Sequence, residues 1–311
     1  MQLGNYVGAV SHWVTYQDTA DALFCVVDLH GLTFEQDPTA FRAAILRKAT
    51  ELLAAGLDPE RCIIFVQSHV AAHTELAWLM ECTVSFGELR RMTQFKEKSE
   101  GQASVSAGVF TYPCLMAADI LLYDTDIVPV GDDQRQHLEL TRDLAIRWNS
   151  RYGTTFIVPE PSIPTVGGRI MDLQEPTAKM SKSRPNAQGR IDALDPPDVI
   201  SRKIARAVTD ADSSVAYDPA TKPGVSNLVE LLALATDSTP AAVAARYTQY
   251  GPLKSDTAAA VIEYLRPFQS RFASLSESPD HVRSVLADGA ARAAAIANVV
   301  LARARTSIGL A

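Results

Sequence analysis

The chain has 311 residues, enough for about two domains and a sizeable core. With 47% hydrophobic and 21% charged residues it has the composition of a globular protein, and no apolar run approaches the roughly 18 residues of a membrane helix, so no membrane partner is expected. The net charge of -7, from 29 basic and 36 acidic residues, argues against a coat of nucleic acid and against DNA as a partner; a local basic patch would still suffice for RNA.

In chain order, Gly4-Asn5 followed by Tyr6, Val7, Val10, Trp13 and Val14 reads as the opening of a helix, with Asn5 as N-cap. The start has no basic region followed by an apolar block, so no signal peptide is expected and the cytoplasm is the default location. Leu23–Asp28 and Cys62–Gln67 are short continuous apolar runs, as expected of parallel strands buried on both faces. Between them Phe41, Ile45, Leu46, Leu52 and Leu53 form a helical stripe that Gly56 and Pro59 stop. Leu115–Leu122 is an apolar helical run, Ile127–Val130 a third strand and Phe156–Val158 a fourth. Leu138, Leu140, Leu144 and Ile146 mark the helix between these last two. Such alternation predicts an α/β fold with a Rossmann-like, doubly wound parallel sheet.

After about residue 190 the strand-like runs stop. Val199, Ile200, Ile204 and Val208 form one amphipathic stripe. Leu228, Leu231, Leu232 and Leu234 form a second, and Val261, Ile262 and Leu265 a third. Arg292–Ala304 is Ala-rich and helix-favouring. The expected division is a catalytic domain over 1–185, a helical domain over 186–285, and a last helix over 286–311 that returns to the first domain.

Cys25, Cys62, Cys82 and Cys114 form no CxxC pair, so they read as reduced structural thiols. His69 and His73 are spaced i,i+4, but no Glu follows His69, and zinc is not expected there. There is no Walker A loop and no GxGxxG, so any nucleotide is held without a P-loop.

Four segments carry candidate chemistry. Lys179-Met180-Ser181-Lys182-Ser183 offers two ammonium groups and two hydroxyls, enough to wrap a polyphosphate. Gly131-Asp132-Asp133-Gln134 follows a strand and opens a helix, the place where doubly wound folds bind ligands; it equally suits a helix cap. Asp119 sits in an apolar run, where a carboxylate must meet either a structural partner or a ligand's donor. Met92–Lys98 sets two cations beside Phe95, a pattern also typical of a solvated face.

The lysine loop is similar to the signature loop of class I aminoacyl-tRNA synthetases. The whole chain, from Leu3 to Leu310, resembles the bacterial tryptophanyl-tRNA synthetases. Besides the loop, the matching stretches are LGNYVGA (3–9), VVDLH (26–30), RMTQFKEKS (91–99), residues 110–143, RIMDL (169–173), AVTD (207–210) and KPGVSNL (222–228). Tyrosyl enzymes typically carry Gln three residues before the specificity Asp; here that residue is Met116, which suits a flat indole face.

The resemblance implies a tryptophan–tRNA ligase that uses ATP with Mg²⁺ and acts on L-tryptophan and tRNA(Trp) as a homodimer. It implies that Asp119 accepts the indole N–H, that Met116, Val128 and Val130 line the ring, and that His30, Tyr112 and Gln134 complete the pocket. Gly4, Asn5, Gly131, Asp132, Asp133 and Ile170 would hold ATP together with Lys179, Met180, Ser181, Lys182 and Ser183. Lys98, Lys179 and Lys182 would be the catalytic cations. The helical domain would hold the anticodon.

The family's opening strand and Ser-Gly-x-Gln-Pro-like turn would lie upstream of Met1, and Gln2 stands where the first His or Thr of the signature belongs. Two expectations follow: the natural chain is longer, or the chain is a truncated, non-catalytic paralogue that binds tRNA or regulates.

Overall fold

The computed structural model describes residues 1–95, 104–131, 134–162, 170–181, 186–212 and 214–310. Of the expected site residues, Lys98, Asp132, Asp133, Lys182 and Ser183 lie outside the described residues. The chain forms two compact units. The first comprises Met1–Ala20, Thr50–Asp58 and Val166–Pro279; the second comprises Asp21–Ala49, Pro59–Thr165 and Asp280–Ala311. This grouping departs from the linear division 1–185, 186–285 and 286–311, because Met1–Ala20 clusters with the helical residues that run to Pro279.

The opening helix starts earlier than Asn5. α1 (Leu3–Asn5) continues through a π-helical turn at Tyr6–Val10 into α2 (Ser11–Tyr16). Gln2, not Asn5, is the N-cap: its backbone is extended and its side chain accepts from Gly4 N–H. The extended backbone follows from an antiparallel bridge between Gln2 and Asp192.

β1 (Leu23–Val26) leads through α3 (Asp28–Gly31) and α4 (Pro38–Ala55) to β2 (Ile63–Val66). β1 and β2 pair in parallel, Leu23 opposite Ile63 and Val26 opposite Val66, as a crossover helix requires. Gly56, at φ 112°, ends the α4 turn. β2 is buried throughout, but β1 only at Val26. The expected full burial of Leu23–Asp28 does not hold: among the described residues β1 has β2 as its one strand neighbour, and Val27 is exposed.

α5 (Ala72–Glu81), α6 (Phe86–Arg91) and α7 (Ala107–Leu121) follow, then β3 (Ile127–Pro129), α8 (Arg135–Tyr152) and β4 (Glu160–Ser162). β3 and β4 are a second parallel pair. The expected strand at Phe156–Val158 is a loop instead. Asn149 takes its hydrogen bonds: Oδ1 accepts from Thr155 N–H and Phe156 N–H, and Nδ2 donates to Phe156 C=O. Phe156 itself is a core residue packed edge-on against Trp148. Ile146, placed on the apolar stripe by its spacing, is exposed.

The remaining elements are helices: α9 (Pro197–Ala205), α10 (Pro223–Ala235), α11 (Pro240–Ala244), α12 (Tyr250–Ser276) and α13 (Pro279–Ser307). Val208, read as part of the first stripe, lies beyond α9 and is exposed. In the first unit Ile200, Ile204, Leu228, Leu232, Val261 and Leu265 form one core with Leu3, Ile170 and Met180. In the second unit Ala290, Ala293, Ala297 and Leu301 of α13 pack in one core with Phe65, Leu144 and Trp148.

An apolar stretch of membrane length was not expected, yet α13 meets the length and hydropathy of a membrane span. Its Val, Leu and Ile residues together with its alanines supply that hydropathy, and its apolar stripe is spent on the core just described. The fold is thus the expected Rossmann-like α/β arrangement with a helical C-terminal region.

Candidate active site

β1 and β2 end side by side at Val26 and Val66, and the next residues build a polar floor. Asp28 ties the two strand ends together. Its Oδ1 accepts from Leu29 N–H at 3.0 Å and Ser68 N–H at 2.9 Å, and its Oδ2 accepts from the Ser68 hydroxyl. Gln67 makes a second tie: Oε1 accepts from Leu29 N–H at 3.1 Å, while Nε2 donates to Asp119 Oδ1 at 2.6 Å. The carboxyl edge of parallel strands is where such folds place ligands.

α7 presents Tyr112, Met116 and Asp119 at i, i+4 and i+7, which puts all three on one helical face. Asp119 is the centre of the floor. His30 Nε2 lies 2.9 Å from its Oδ2, and His73 Nδ1 lies 2.6 Å from its Oδ1. His73 Nε2 in turn lies 2.7 Å from the Tyr123 hydroxyl. Burial works against the charge of Asp119, but the hydrogen bonds of His30 and His73 outweigh it and hold the carboxyl below its ordinary value. Of the two sequence alternatives for Asp119, the structure shows the structural partners, and they leave part of its acceptor capacity unused. A carboxylate has about four lone-pair sites, and Gln67, His30 and His73 use three. Oδ2 can still receive one N–H donor.

Of the other expected pocket residues, His30 and Tyr112 are tied to this group, while the rest are placed by their own neighbours. The Tyr112 ring meets His30 edge-on at 6.1 Å, and its hydroxyl lies 2.6 Å from His137 Nε2. Met116, Val128 and Val130 join Ile120 and Leu138 in one apolar cluster. Gln134 is the N-cap residue of α8. Sequence reasoning missed Asp28, Gln67, His73, Tyr123 and His137. Their one signal was polarity beside apolar runs, and His73 was weighed only as a partner for His69.

In the first unit, Gln2 joins the opening helix to the base of the lysine loop. Its Oε1 accepts from Gly4 N–H at 2.7 Å, and its Nε2 donates to Met180 C=O at 3.0 Å. Leu3 N–H reaches Ile191 C=O, and Asn5 N–H reaches Gln2 C=O. The N–H groups of this helix start are therefore engaged within the protein, so an anion bound there must displace the Gln2 side chain.

Met171 and Lys179 form an antiparallel bridge, and Met180 N–H donates to Ile170 C=O. The side chains of Ile170 and Met180 are buried in the core, whereas Lys179 and Asn5 are exposed. Asp172, also buried, accepts from Gln174 N–H and Glu175 N–H through Oδ1, closing the turn before the lysines. Gly189 packs on that carboxylate so closely that a Cβ would lie 1.9 Å from Asp172 Oδ1. Of the remaining described ATP residues of the expected set, Ser181 is half-buried in the first unit, and Gly131 is exposed and belongs to the second unit.

Comparison with known proteins identifies the family. The profile of the tRNA synthetases class I (W and Y) matches residues 1–266. The chain is 52% identical over 315 residues to tryptophan–tRNA ligase 1 of Streptomyces avermitilis, covering all of this chain and 95% of that protein. It is 50% identical to the tryptophan–tRNA ligase of Caldanaerobacter subterraneus subsp. tengcongensis, again over all of this chain and 95% of the relative. The tryptophanyl-tRNA synthetase of Mycoplasma pneumoniae superposes with a TM-score of 0.91 at 35% identity, covering 100% of this chain and 94% of that one. The Campylobacter jejuni tryptophanyl-tRNA synthetase, solved with ADP and tryptophan, superposes at 0.88 with 31% identity and covers 100% and 96%. The chain belongs to the class I tRNA synthetases of the tryptophan and tyrosine group.

Proposed function

We propose that the chain is a tryptophan–tRNA ligase. It activates L-tryptophan with ATP to tryptophanyl-AMP and pyrophosphate, then transfers tryptophan to tRNA(Trp). The observation that carries this reading is Asp119, an ionised carboxylate at the carboxyl edge of the sheet with one acceptor site left for an indole N–H. The full-length likeness to tryptophan–tRNA ligases favours it over a non-catalytic paralogue.

In the first step a carboxylate oxygen of tryptophan attacks the α-phosphorus of ATP. The new O–P bond forms as the bond to the bridging oxygen breaks, and pyrophosphate leaves with that electron pair. The chain supplies alignment and charge rather than a nucleophile. Met116, Val128 and Val130 flank the indole, with His30, Tyr112 and Gln134 closing the pocket. Gly4, Asn5, Gly131, Asp132, Asp133 and Ile170 hold ATP with the 179–183 loop. Since Ile170 and Met180 bury their side chains, their share is through the main chain. Lys98, Lys179 and Lys182 neutralise the leaving pyrophosphate. Lysines do not ligate a metal, so Mg²⁺ arrives with the ATP phosphates, where it would withdraw further charge. In the second step a terminal ribose hydroxyl of tRNA attacks the adenylate carbonyl and AMP leaves.

The helical residues 186–285 are proposed to hold the anticodon, with 286–311 serving the catalytic domain. A homodimer is proposed on the exposed aromatic surface of Trp78 and Phe86, and the cytoplasm, which holds tRNA and ATP, as the place of action.

The test is tryptophan-dependent exchange of pyrophosphate into ATP, followed by charging of tRNA(Trp). Both are expected, and absence of exchange overturns the reading.

A further inference from the structure

Two residues outside the expected pocket set, Tyr123 and His73, form a hydrogen-bonded chain that ends on Asp119. His73 is fully buried, and its two ring nitrogens bridge a hydroxyl and a carboxylate, at 2.7 and 2.6 Å. The carboxylate can only accept, so Nδ1 must carry a proton. A neutral ring that donates from Nδ1 presents a lone pair at Nε2, and the Tyr123 hydroxyl donates into it. Burial, with the nearby Cys25 and Asp119 adding to it, raises Tyr123 far above the ordinary phenol range, so its hydroxyl stays a donor. The Phe65 ring packs against both partners, with centroids 5.8 Å from His73 and 5.7 Å from Tyr123. That wall fixes the two rings in register.

The consequence concerns Asp119. The alternative His73 tautomer, protonated on Nε2, would turn a lone pair toward Oδ1 and repel the carboxylate. Oδ1 would then keep only Gln67, and the carboxylate would be free to turn Oδ2 away from His30.

We propose that Tyr123 and His73 are specificity-determining positioning residues: Tyr123 selects the His73 tautomer that holds the Asp119 carboxylate in place to receive the indole N–H of the substrate. Neither residue touches the substrate in this scheme. Both act through Asp119, and the inference rests on the reading of Asp119 as the indole acceptor.

The experiment compares tryptophan with 3-(benzothiophen-3-yl)alanine, which keeps the ring shape but replaces the N–H by sulfur. Pyrophosphate exchange gives kcat/KM for each. Wild type must prefer tryptophan, and Asp119→Asn must lose most of that preference; failure of either overturns the Asp119 reading itself. Tyr123→Phe is expected to lower the preference about tenfold, the scale of one hydrogen bond to a charged group. The loss should fall on KM for tryptophan and not on the analogue.

The deciding variant is His73→Asn combined with Tyr123→Phe. An Asn amide nitrogen sits near the Nδ1 position and has no tautomer, so the pair should regain the tryptophan preference that Tyr123→Phe loses. A structural lesion would not be rescued by a second substitution beside it. The proposal is overturned if Tyr123→Phe weakens both amino acids equally, if it changes neither, or if the double variant keeps the defect. Should Tyr123→Phe fail to fold, His73→Asn alone must retain the wild-type preference, and losing it overturns the proposal.

Discussion

Asn227 holds both main-chain polar groups of Met171. Its Oδ1 accepts from Met171 N–H at 3.0 Å, and its Nδ2 donates to Met171 C=O at 3.0 Å. Met171 is also the strand partner of Lys179, so a residue of α10 sets the main chain from which the first lysine of the loop projects.

Asn227→Ala leaves two backbone groups of this bridge without their partner, in a site where Asn227 itself is buried. Each unsatisfied group costs about 1–3 kcal/mol, so for the two the loss in unfolding free energy is expected at about 2–6 kcal/mol. Chemical denaturation measures it. The same variant is expected to raise KM for ATP more than KM for tryptophan, because the bridge supports Lys179 and not Asp119. A loss of stability below about 0.5 kcal/mol, the range of an ordinary surface change, would contradict the role.

Asp119→Ala removes the acceptor of the indole N–H and leaves Gln67, His30 and His73 without their shared partner. KM for tryptophan is expected to rise at least about tenfold, since a site built around one hydrogen bond depends on it. KM for ATP should stay within about twofold, because the ATP groups are elsewhere in the sequence. Pyrophosphate exchange at varied tryptophan and varied ATP separates the two. Equal damage to both constants would mean that Asp119 only supports the fold.

Local signals carried much of this fold. The Phe41, Ile45 and Leu46 stripe and the Gly56 stop correspond to α4, and the apolar run 62–67 to buried β2. What the sequence concealed was set by distant partners. Phe156 and Val158 look like strand residues, but the Asn149 side chain claims the backbone groups of Phe156. Asn5 is a good cap by type, yet Gln2 wins because its bridge to Asp192 extends its backbone. At the site, Asp119 was legible as a lone carboxylate in an apolar run. Its partners Gln67 and His73 were not, because they lie 52 and 46 residues away and meet it only through packing.

Glu88 gives an acid-dependent part of stability. The Arg147 guanidinium beside it, helped by the Ser85 cap and opposed by partial burial, lowers its carboxyl from 4.5 to about 2. Glu88 also closes a capping box at the start of α6, accepting from Ser85 N–H at 2.8 Å. A carboxyl whose folded pKa lies below its unfolded value stabilises the fold fully above the unfolded value. That contribution fades as pH falls from about 4.5 to about 2. Arg147 and Glu88 are 28% and 16% exposed, so solvent screening reduces the gain to about 1–2 kcal/mol. Glu88→Gln is expected to destabilise by that amount at pH 7 and to match wild type near pH 2. Urea unfolding across this range tests it; a constant difference at all pH values would mean that the charge is irrelevant.

The exposed aromatic surface of the second unit yields the last prediction. Trp78 on α5 is 63% exposed and Phe86 on α6 is 69% exposed. Phe86 packs on Phe110 at 5.1 Å and Phe110 on Phe95 at 5.0 Å, and Trp78 lines the same groove as Phe86 and Phe110. Large exposed aromatics gathered in one place are costly to hydrate and are typical of interface centres. A two-fold dimer sets one such patch against its own copy, so a single substitution strikes both sides. Trp78→Asp places two buried charges in that contact and is expected to convert a dimer into monomers. Light scattering coupled to size exclusion measures the mass, and circular dichroism confirms that the fold survives. Wild type running as a monomer, or an unchanged dimer in the variant, would remove this surface as the interface. Because Trp78 is exposed in the single chain, the substitution disturbs little of its core, so a change in mass reports on association and not on unfolding.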